Sequence, residues 1–456
     1  MDLRENKMRT APVGKLLFTM ALPLMGSMLV QALYNVVDSV YVSRISDSAV
    51  TAMSLAFPVQ NLQIGFATGV AVGMNSLLSK SLGEGNRERA NRAAGNGILL
   101  MFAAVALFML FGFVGVRPYY EMQSQVAETV EGGIAYTAIC CIFTVGIFVE
   151  VLGERMLQAS GKTIYTLFTQ GTGAVLNIIL DPVFIFGVPE LGIPAYGMAG
   201  AAIATVIGQW VAAIMAVIFN IKCNDDVKFS LSYLKPDKKV ISKTLSVGVP
   251  SIIMMAIGSV MTFGMNQIFQ GFKDYGETAT GVFGVYFKLQ SFFLMPLIGI
   301  NNASVSIIAY NYGAREPKRI VQNLKYAVGA ALVLMLVGFG AFQLLPDLLL
   351  SIFEPSETFL SLGRSALQTV SYHLPMAAVC IALGASFQAM GVGIYSTITS
   401  LCRQLVVLLP VAYLLSLTGD VHLVWWAFPV AEVVSMILSL LFYGRIYRKK
   451  IKPLYE

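Results

Sequence analysis

Long apolar runs separated by short polar segments recur along the whole chain, and their length decides what they predict. A helix needs about 20 predominantly apolar residues to cross the hydrocarbon core of a bilayer. Twelve runs meet that length, at roughly 16–41, 50–79, 93–116, 133–154, 163–187, 197–221, 244–270, 278–310, 326–345, 366–390, 395–418 and 422–444. They are continuous, unlike the alternating ten-residue segments of a membrane β-barrel, so the spans are helical. The expected fold class is an all-α membrane protein of twelve transmembrane helices.

Composition fits lipid as the solvent. Of 456 residues, 56% are apolar and 12% charged, against about 25% charged in a soluble domain. Arg4, Lys7, Arg9 and Lys15 precede a first run longer than a signal-peptide core, with no small-residue cleavage pattern, so the first span is expected to be retained. The five cysteines lie mostly inside apolar runs, and the two histidines, His373 and His422, are far apart in sequence. No zinc spacing or disulfide framework results, and neither a metal site nor a cofactor is expected.

Charge sets the orientation. With twelve spans and both termini on one side, that side holds 25 of the 31 Lys and Arg, and the other holds Arg44, Arg117, Lys273 and Arg364. The positive-inside rule then places both termini in the cytoplasm of a multi-pass inner-membrane protein. Spread over six short segments, the net charge of +6 is a topology signal and does not form a nucleic-acid patch.

The chain is duplicated. Gln158-Ala-Ser-Gly161 recurs as Gln388-Ala-Met-Gly391, and Gly69, Gly83 and Arg89 recur as Gly299, Gly313 and Arg319, all 230 positions on. Leu22-Pro23 recurs as Val249-Pro250, 227 positions on. Each half carries an even number of spans, so the halves share one orientation, related by an axis along the membrane normal. The expected domains are an N-terminal lobe at 1–221, a cytoplasmic linker at 222–243 and a C-terminal lobe at 244–456.

Two motifs lead nowhere catalytic. Gly161-Lys162-Thr163 resembles the end of a P-loop, but Met156 stands where that pattern needs glycine. Gly69-x-x-x-Gly73 reads as a helix-packing motif. The informative residues are ionisable groups inside spans, each costing about 2.5–3.5 kcal/mol at mid-helix. Gln31, Tyr34, Asn35 and Asp38 fall on one helical face. Asn177 and Asp181 form a second polar face, followed by Pro182. At about 1.5 Å per residue both acids lie in the outer half of the first lobe, where they can share a site. Facing, desolvated carboxylates favour proton uptake, and the same oxygens with Asn177 could hold Na⁺. Helix capping near the outer interface is the competing reading for both acids. Glu150 and Glu154, beside Arg155 at the cytoplasmic rim, read as a structural ion pair in preference to a transport role. Lys288 and Arg403 lie within second-lobe spans, and Glu432 is a candidate partner for either, as a stabilising network or as a gate. Pro23 is expected to kink span one.

These residues resemble the multidrug and toxic compound extrusion (MATE) family over nearly the whole chain. The carriers are Ala21-Leu22-Pro23, Tyr34-Asn35-x-x-Asp38-Ser-x-Tyr-Val, Leu157-Gln-Ala-Ser-Gly161, Asn177-Ile-Ile-Leu-Asp181-Pro182, Gly200-Ala-Ala-Ile-Ala204-Thr205 and Tyr310-Asn-Tyr-Gly-Ala-Arg315. The resemblance implies a V-shaped pair of six-helix lobes that exports lipophilic, often cationic compounds in exchange for H⁺ or Na⁺. It implies a cation-responsive site at Gln31, Tyr34, Asp38, Tyr136, Asn177 and Asp181, with span one bending at Pro23. Beside that site, Tyr136, Asn35, Pro23, Lys288 and Arg403 are the residues expected to line or gate the substrate path. Coupling carboxylates in spans seven and ten, known in another branch, are missing here.

The function expected is therefore a cation-coupled drug antiporter working by alternating access. It would act as a monomer on small lipophilic or cationic substrates among membrane lipids, without nucleic acid, cofactor or enzymatic activity. A lipid-linked precursor flippase of the same superfamily stays open, motivated by Lys288 and Arg403, which would attract phosphate.

Overall fold

The computed structural model describes residues 7–228, 230–273, 275–353 and 356–456, with the side chains of Asn35, Val36, Ser39, Asp47, Leu191 and Leu231 outside that description. Among the described residues there is no strand. Among the described residues ten helices are long and apolar enough to cross a membrane singly, and counting each of two bent pairs as one span makes up to twelve.

We number the spans in order. They are α1 (Val13–Ser43), α2 (Asp47–Gly83), and α3 (Arg87–Leu110, running through a π-helical turn at Phe111–Gly115 into Val116–Gln123). Next come the bent pair α4a (Ala127–Ile142) and α4b (Val145–Ala159), then α5 (Ile164–Phe186) and α6 (Met198–Cys223). The second repeat begins with α7 (Lys238–Gln270), α8 (Gly276–Gly313) and α9 (Pro317–Leu344). It ends with the pair α10a (Glu357–Ser371) and α10b (Leu374–Ala389), then α11 (Gly393–Leu401, a π-helical turn at Cys402–Leu408, Leu409–Ser416) and α12 (Ala427–Ile446). Spans four and ten each read from sequence as one run. Both bend by 46°, a change of direction that leaves the apolar content continuous.

The duplication is visible in the backbone. Gly161 and Gly391 both take φ of +73°. The amides after them return to the carbonyls of Leu157 and Phe387, at 2.8 and 2.9 Å. Each is the left-handed glycine that closes a helix C-terminus, so the Gly-Lys-Thr segment is a helix stop.

The chain separates into two compact units: a C-terminal unit of Met1–Met25 with Ile253–Glu456, and an N-terminal unit of Gly26–Ile252. The division runs through α1 and α7, two residues beyond Pro23 and Pro250, and the 222–243 segment lies inside the N-terminal unit. Repeated glycines show why each repeat's first helix serves both units. A Cβ on Gly69 of α2 would come within 2.8 Å of the Gly248 carbonyl of α7, and one on Gly299 of α8 within 2.6 Å of the Met25 amide of α1. Only glycine permits backbones to approach that closely. The segment before α1 is held on the C-terminal unit by Arg319, which donates to the carbonyls of Met8 and Ala11 at 2.9 and 2.7 Å.

Candidate functional site

Inside the N-terminal unit a cavity of about 460 Å³ is lined by Gln31, Tyr34 and Asp38 of α1, Gln60, Asn61 and Gln63 of α2, Tyr136 of α4a, and Thr205 and Gln209 of α6. Met53, Phe57, Ile64 and Ile147 supply apolar wall. The size is within the range of small-molecule sites. Three residues of the helical face read from sequence, Gln31, Tyr34 and Asp38, thus line this cavity.

Asp38 is 4% exposed, and its Oδ1 has no hydrogen-bond partner among the described residues. The bend between α4a and α4b supplies part of the wall's polar fabric. It leaves the Cys140 carbonyl at a helix end, and Gln63 donates to it at 3.1 Å and also to the Thr144 hydroxyl. Gln60 donates to the Tyr136 hydroxyl at 2.9 Å.

Asp181 is fully buried behind the Thr205 wall and does not line the cavity. The close crossing of α5 and α6, where a Cβ on Gly208 would lie 2.7 Å from the Gly173 carbonyl, brings Asn177 against Thr205. With its oxygen facing α6, the Asn177 amide donates to Asp181 Oδ2 at 3.3 Å and accepts from the Thr205 hydroxyl at 3.2 Å. The chain of contacts from the cavity is therefore Thr205, then Asn177, then Asp181.

Other expected residues fall elsewhere. The Asn35 side chain lies outside the described residues. Pro23 is inside α1 within the C-terminal unit's share of that helix. Lys288 and Arg403 belong to the C-terminal unit and do not line this cavity. Lys288 is exposed and forms no ion pair among the described residues, whereas Arg403 Nη1 lies 3.5 Å from Glu432 Oε1.

Among the described residues no ion pair joins Glu150 or Glu154 to Arg155, contrary to expectation. Glu154 accepts from the Thr169 hydroxyl at 2.5 Å and the Gln170 amide at 2.9 Å. Arg155 donates to Gln158 at 3.1 Å. Consecutive helical positions face different directions, so Arg155 cannot turn to Glu154 without leaving its own face. Gln60, Gln63 and Thr205 were not singled out from sequence. Their signal was available as three amides close together in an apolar span, and as the last residue of the Gly200–Thr205 motif.

Fold and cavity together define a polytopic helical membrane protein of duplicated halves, with a polar site inside one of its units. The MatE family model matches residues 23–183 and 250–414, one match in each half, and the chain belongs to that family. A probable multidrug resistance protein, YoeA of Bacillus subtilis, is 25% identical over 94% of this chain and 93% of its own. An FAD transporter of Shewanella oneidensis is likewise 25% identical, over 94% of both chains. The multidrug export protein MepA of Staphylococcus aureus is 22% identical over 94% of this chain and 93% of its own. An outward-facing multidrug resistance MATE family transporter shares the fold at TM-score 0.91 and 24% identity, over 100% of this chain and 99% of that one.

Proposed function

We propose that this chain is an antiporter that exports lipophilic, often cationic compounds in exchange for H⁺ or Na⁺, with Asp38 as the centre of the coupling site. The observation that carries this is the unpartnered Asp38 oxygen in the wall of an aromatic-lined cavity. A buried carboxylate oxygen without a donor is costly unless a proton or cation meets it. Asp181, held by Asn177 behind the Thr205 wall, supplies a second acid in the same unit. Gln31 and Tyr34 share the Asp38 face, and Tyr136 stands opposite. Alternating access, with bending of α1 near Pro23, would expose the site to each side in turn, with both termini cytoplasmic.

One relative is an FAD transporter, whose cargo is anionic, so likeness alone does not set the sign of the substrate's charge. Among the described residues no lysine or arginine lines the cavity. A carboxylate beside Tyr34, Tyr136 and Phe57 suits a lipophilic cation, since aromatic faces attract positive charge. Phosphate recognition, which a flippase would need, gains little support: Arg403 is engaged by Glu432, and Lys288 lies outside the cavity.

Ethidium efflux from cells producing Asp38→Asn and Asp181→Asn tests this reading. Both variants should lose most of the export at normal expression, and undiminished export would overturn the site assignment. Proteoliposomes with separately imposed pH and sodium gradients then identify the coupling ion.

A further inference from the structure

The C-terminal unit holds a buried polar cluster that the coupling site above does not use. His373 stands at the bend between α10a and α10b. Its Nε2 is 2.6 Å from the Tyr286 hydroxyl and 3.1 Å from the Gln290 amide nitrogen, both on α8. Its Nδ1 lies 3.7 Å from Glu432 Oε2 on α12. The other oxygen of the same carboxylate, Oε1, faces Arg403 at 3.5 Å, from the π-helical turn of α11. His373 and Glu432 are 6% and 3% exposed. From α9, the neighbouring element, Phe342 packs against Tyr286. On α10b itself Cys380 takes a contact from Ser435 of α12 at 3.6 Å. Among the described residues, the titratable and charged groups around His373 are thus Tyr286, Glu432, Arg403 and Cys380.

We propose that His373 and Glu432 form a second proton-binding site, in the C-terminal unit and independent of Asp38 and Asp181. Arg403 with Glu432 is a neutral pair, so the cluster without a further proton carries no net charge. Nε2 faces donors from Tyr286 and Gln290 and acts as the acceptor, which leaves the resting proton on Nδ1, toward Glu432. Histidine is the side chain whose ordinary titration spans pH 5 to 8. A proton arriving at Nε2 makes an imidazolium, with Tyr286 turning from donor to acceptor. Two cations then compete for the two oxygens of one carboxylate. The Arg403 contact, already long, is the one that gives. Its guanidinium sits in a π-helical turn, a local departure from α-helix that recurs at functional sites. Proton uptake at the α10 bend is thereby transmitted to α11.

The duplication gives this cluster a place. Gln290 is the repeat counterpart of Gln60, 230 positions on, and His373 stands in the same way for Phe143. Gln60 and Gln290 both donate into the polar site beside a bent span of their own repeat. The second repeat therefore keeps the scaffold of the cavity site and fills it with an imidazole, a carboxylate and a guanidinium.

The chain's two histidines make the test direct. Protein labelled with ¹⁵N-histidine gives two imidazole signal sets, and a His422→Gln variant, altered at an exposed position, assigns them. Above neutral pH, His373 should show the Nδ1-protonated tautomer, and acidification should protonate Nε2. Glu432→Gln should lower the midpoint by about one unit or more, because it removes the opposing charge. Efflux by His373→Gln should lose an acidic limb of its pH profile while remaining dependent on Asp38. A His373 that stays neutral from pH 5 to 9, the opposite tautomer, or a midpoint unmoved by Glu432→Gln would each overturn the proposal. The titration on the unmodified chain needs neither the His373 nor the Glu432 variant to fold. It is also read at His373 alone, whatever becomes of Asp38.

Discussion

Thr205→Val keeps the shape of the side chain and deletes one hydroxyl. In the native site that hydroxyl donates to Asn177, whose amide donates to Asp181. The valine variant leaves Asp181 with a less firmly oriented partner, a loss of about 1 kcal/mol for one hydrogen bond. The expected outcome is a several-fold rise in the proton or sodium concentration needed for half-maximal export, with normal expression. An unchanged ion dependence would detach Thr205 and Asn177 from coupling. Asp38 and Asp181 were legible in the sequence because a charge in an apolar run is costly and demands a reason. Thr205, Gln60 and Gln63 were not, since neutral polar side chains are common helix-packing groups in membranes. Sequence also left Glu432 open between Lys288 and Arg403, because separation along the chain gives no distance between spans. It named neither His373 nor Tyr286 as a neighbour of that glutamate.

Elements in this chain are set by close backbone approach more than by helix propensity. A Cβ on Gly73 of α2 would lie 2.1 Å from the Thr244 carbonyl of α7, while one on Gly171 of α5 would meet nothing within 4 Å. Gly73→Ala is therefore expected to destabilise the protein by about 1–3 kcal/mol, the range for overpacking. Gly171→Ala should be neutral or stabilising by up to about 1 kcal/mol, from helix propensity. Melting of the two purified variants in detergent checks both signs. The Gly69-x-x-x-Gly73 pattern was readable as packing, but which helix it met was not.

The 222–243 segment behaves as part of the N-terminal unit for a similarly local reason. Asn96 Oδ1 accepts from the Asp237 amide at 2.9 Å, and Asn91 Oδ1 accepts from the Lys228 amide at 2.8 Å. Asp237 in turn accepts from the amides of Val240 and Lys239 at the start of α7. Those backbone donors hold its carboxyl below the usual carboxylate range. A depressed folded value means that the cap is fully present at neutral pH and is lost as pH falls through that lowered range. A spin label at exposed Ser232 should become more mobile over that acid window. In Asp237→Ala the label should already be mobile at neutral pH and show no further acid transition there. Mobility that is the same in both proteins at neutral pH would remove Asp237 from the anchoring of this segment.

On the scale of the whole molecule, the twelve crossings and the repeat were legible because runs, charge parity and repeated glycines are chain-order properties. The division into units was not, since α1 and α7 each change units beyond a proline, and no composition shift marks that point. The placement of a titratable cluster in each unit has an energetic consequence that single-site coupling lacks. One charge moved through 100 mV supplies about 2.3 kcal/mol, which sustains roughly a fortyfold gradient of a neutral substrate, at about 1.4 kcal/mol per tenfold. With protons as the coupling ion, two sites emptied in each cycle multiply these factors, to a ceiling of about 2,000-fold. The steady accumulation ratio of a neutral substrate should therefore be steeper in voltage for the native protein than for His373→Gln. Proteoliposomes clamped by potassium and valinomycin at several potentials, with equal pH on both sides, give that slope directly. In the variant, the logarithm of the ratio should rise about half as fast with voltage. A slope unchanged by His373→Gln would show that the proton on His373 does not cross the membrane with each cycle, and that coupling rests on the Asp38 site alone.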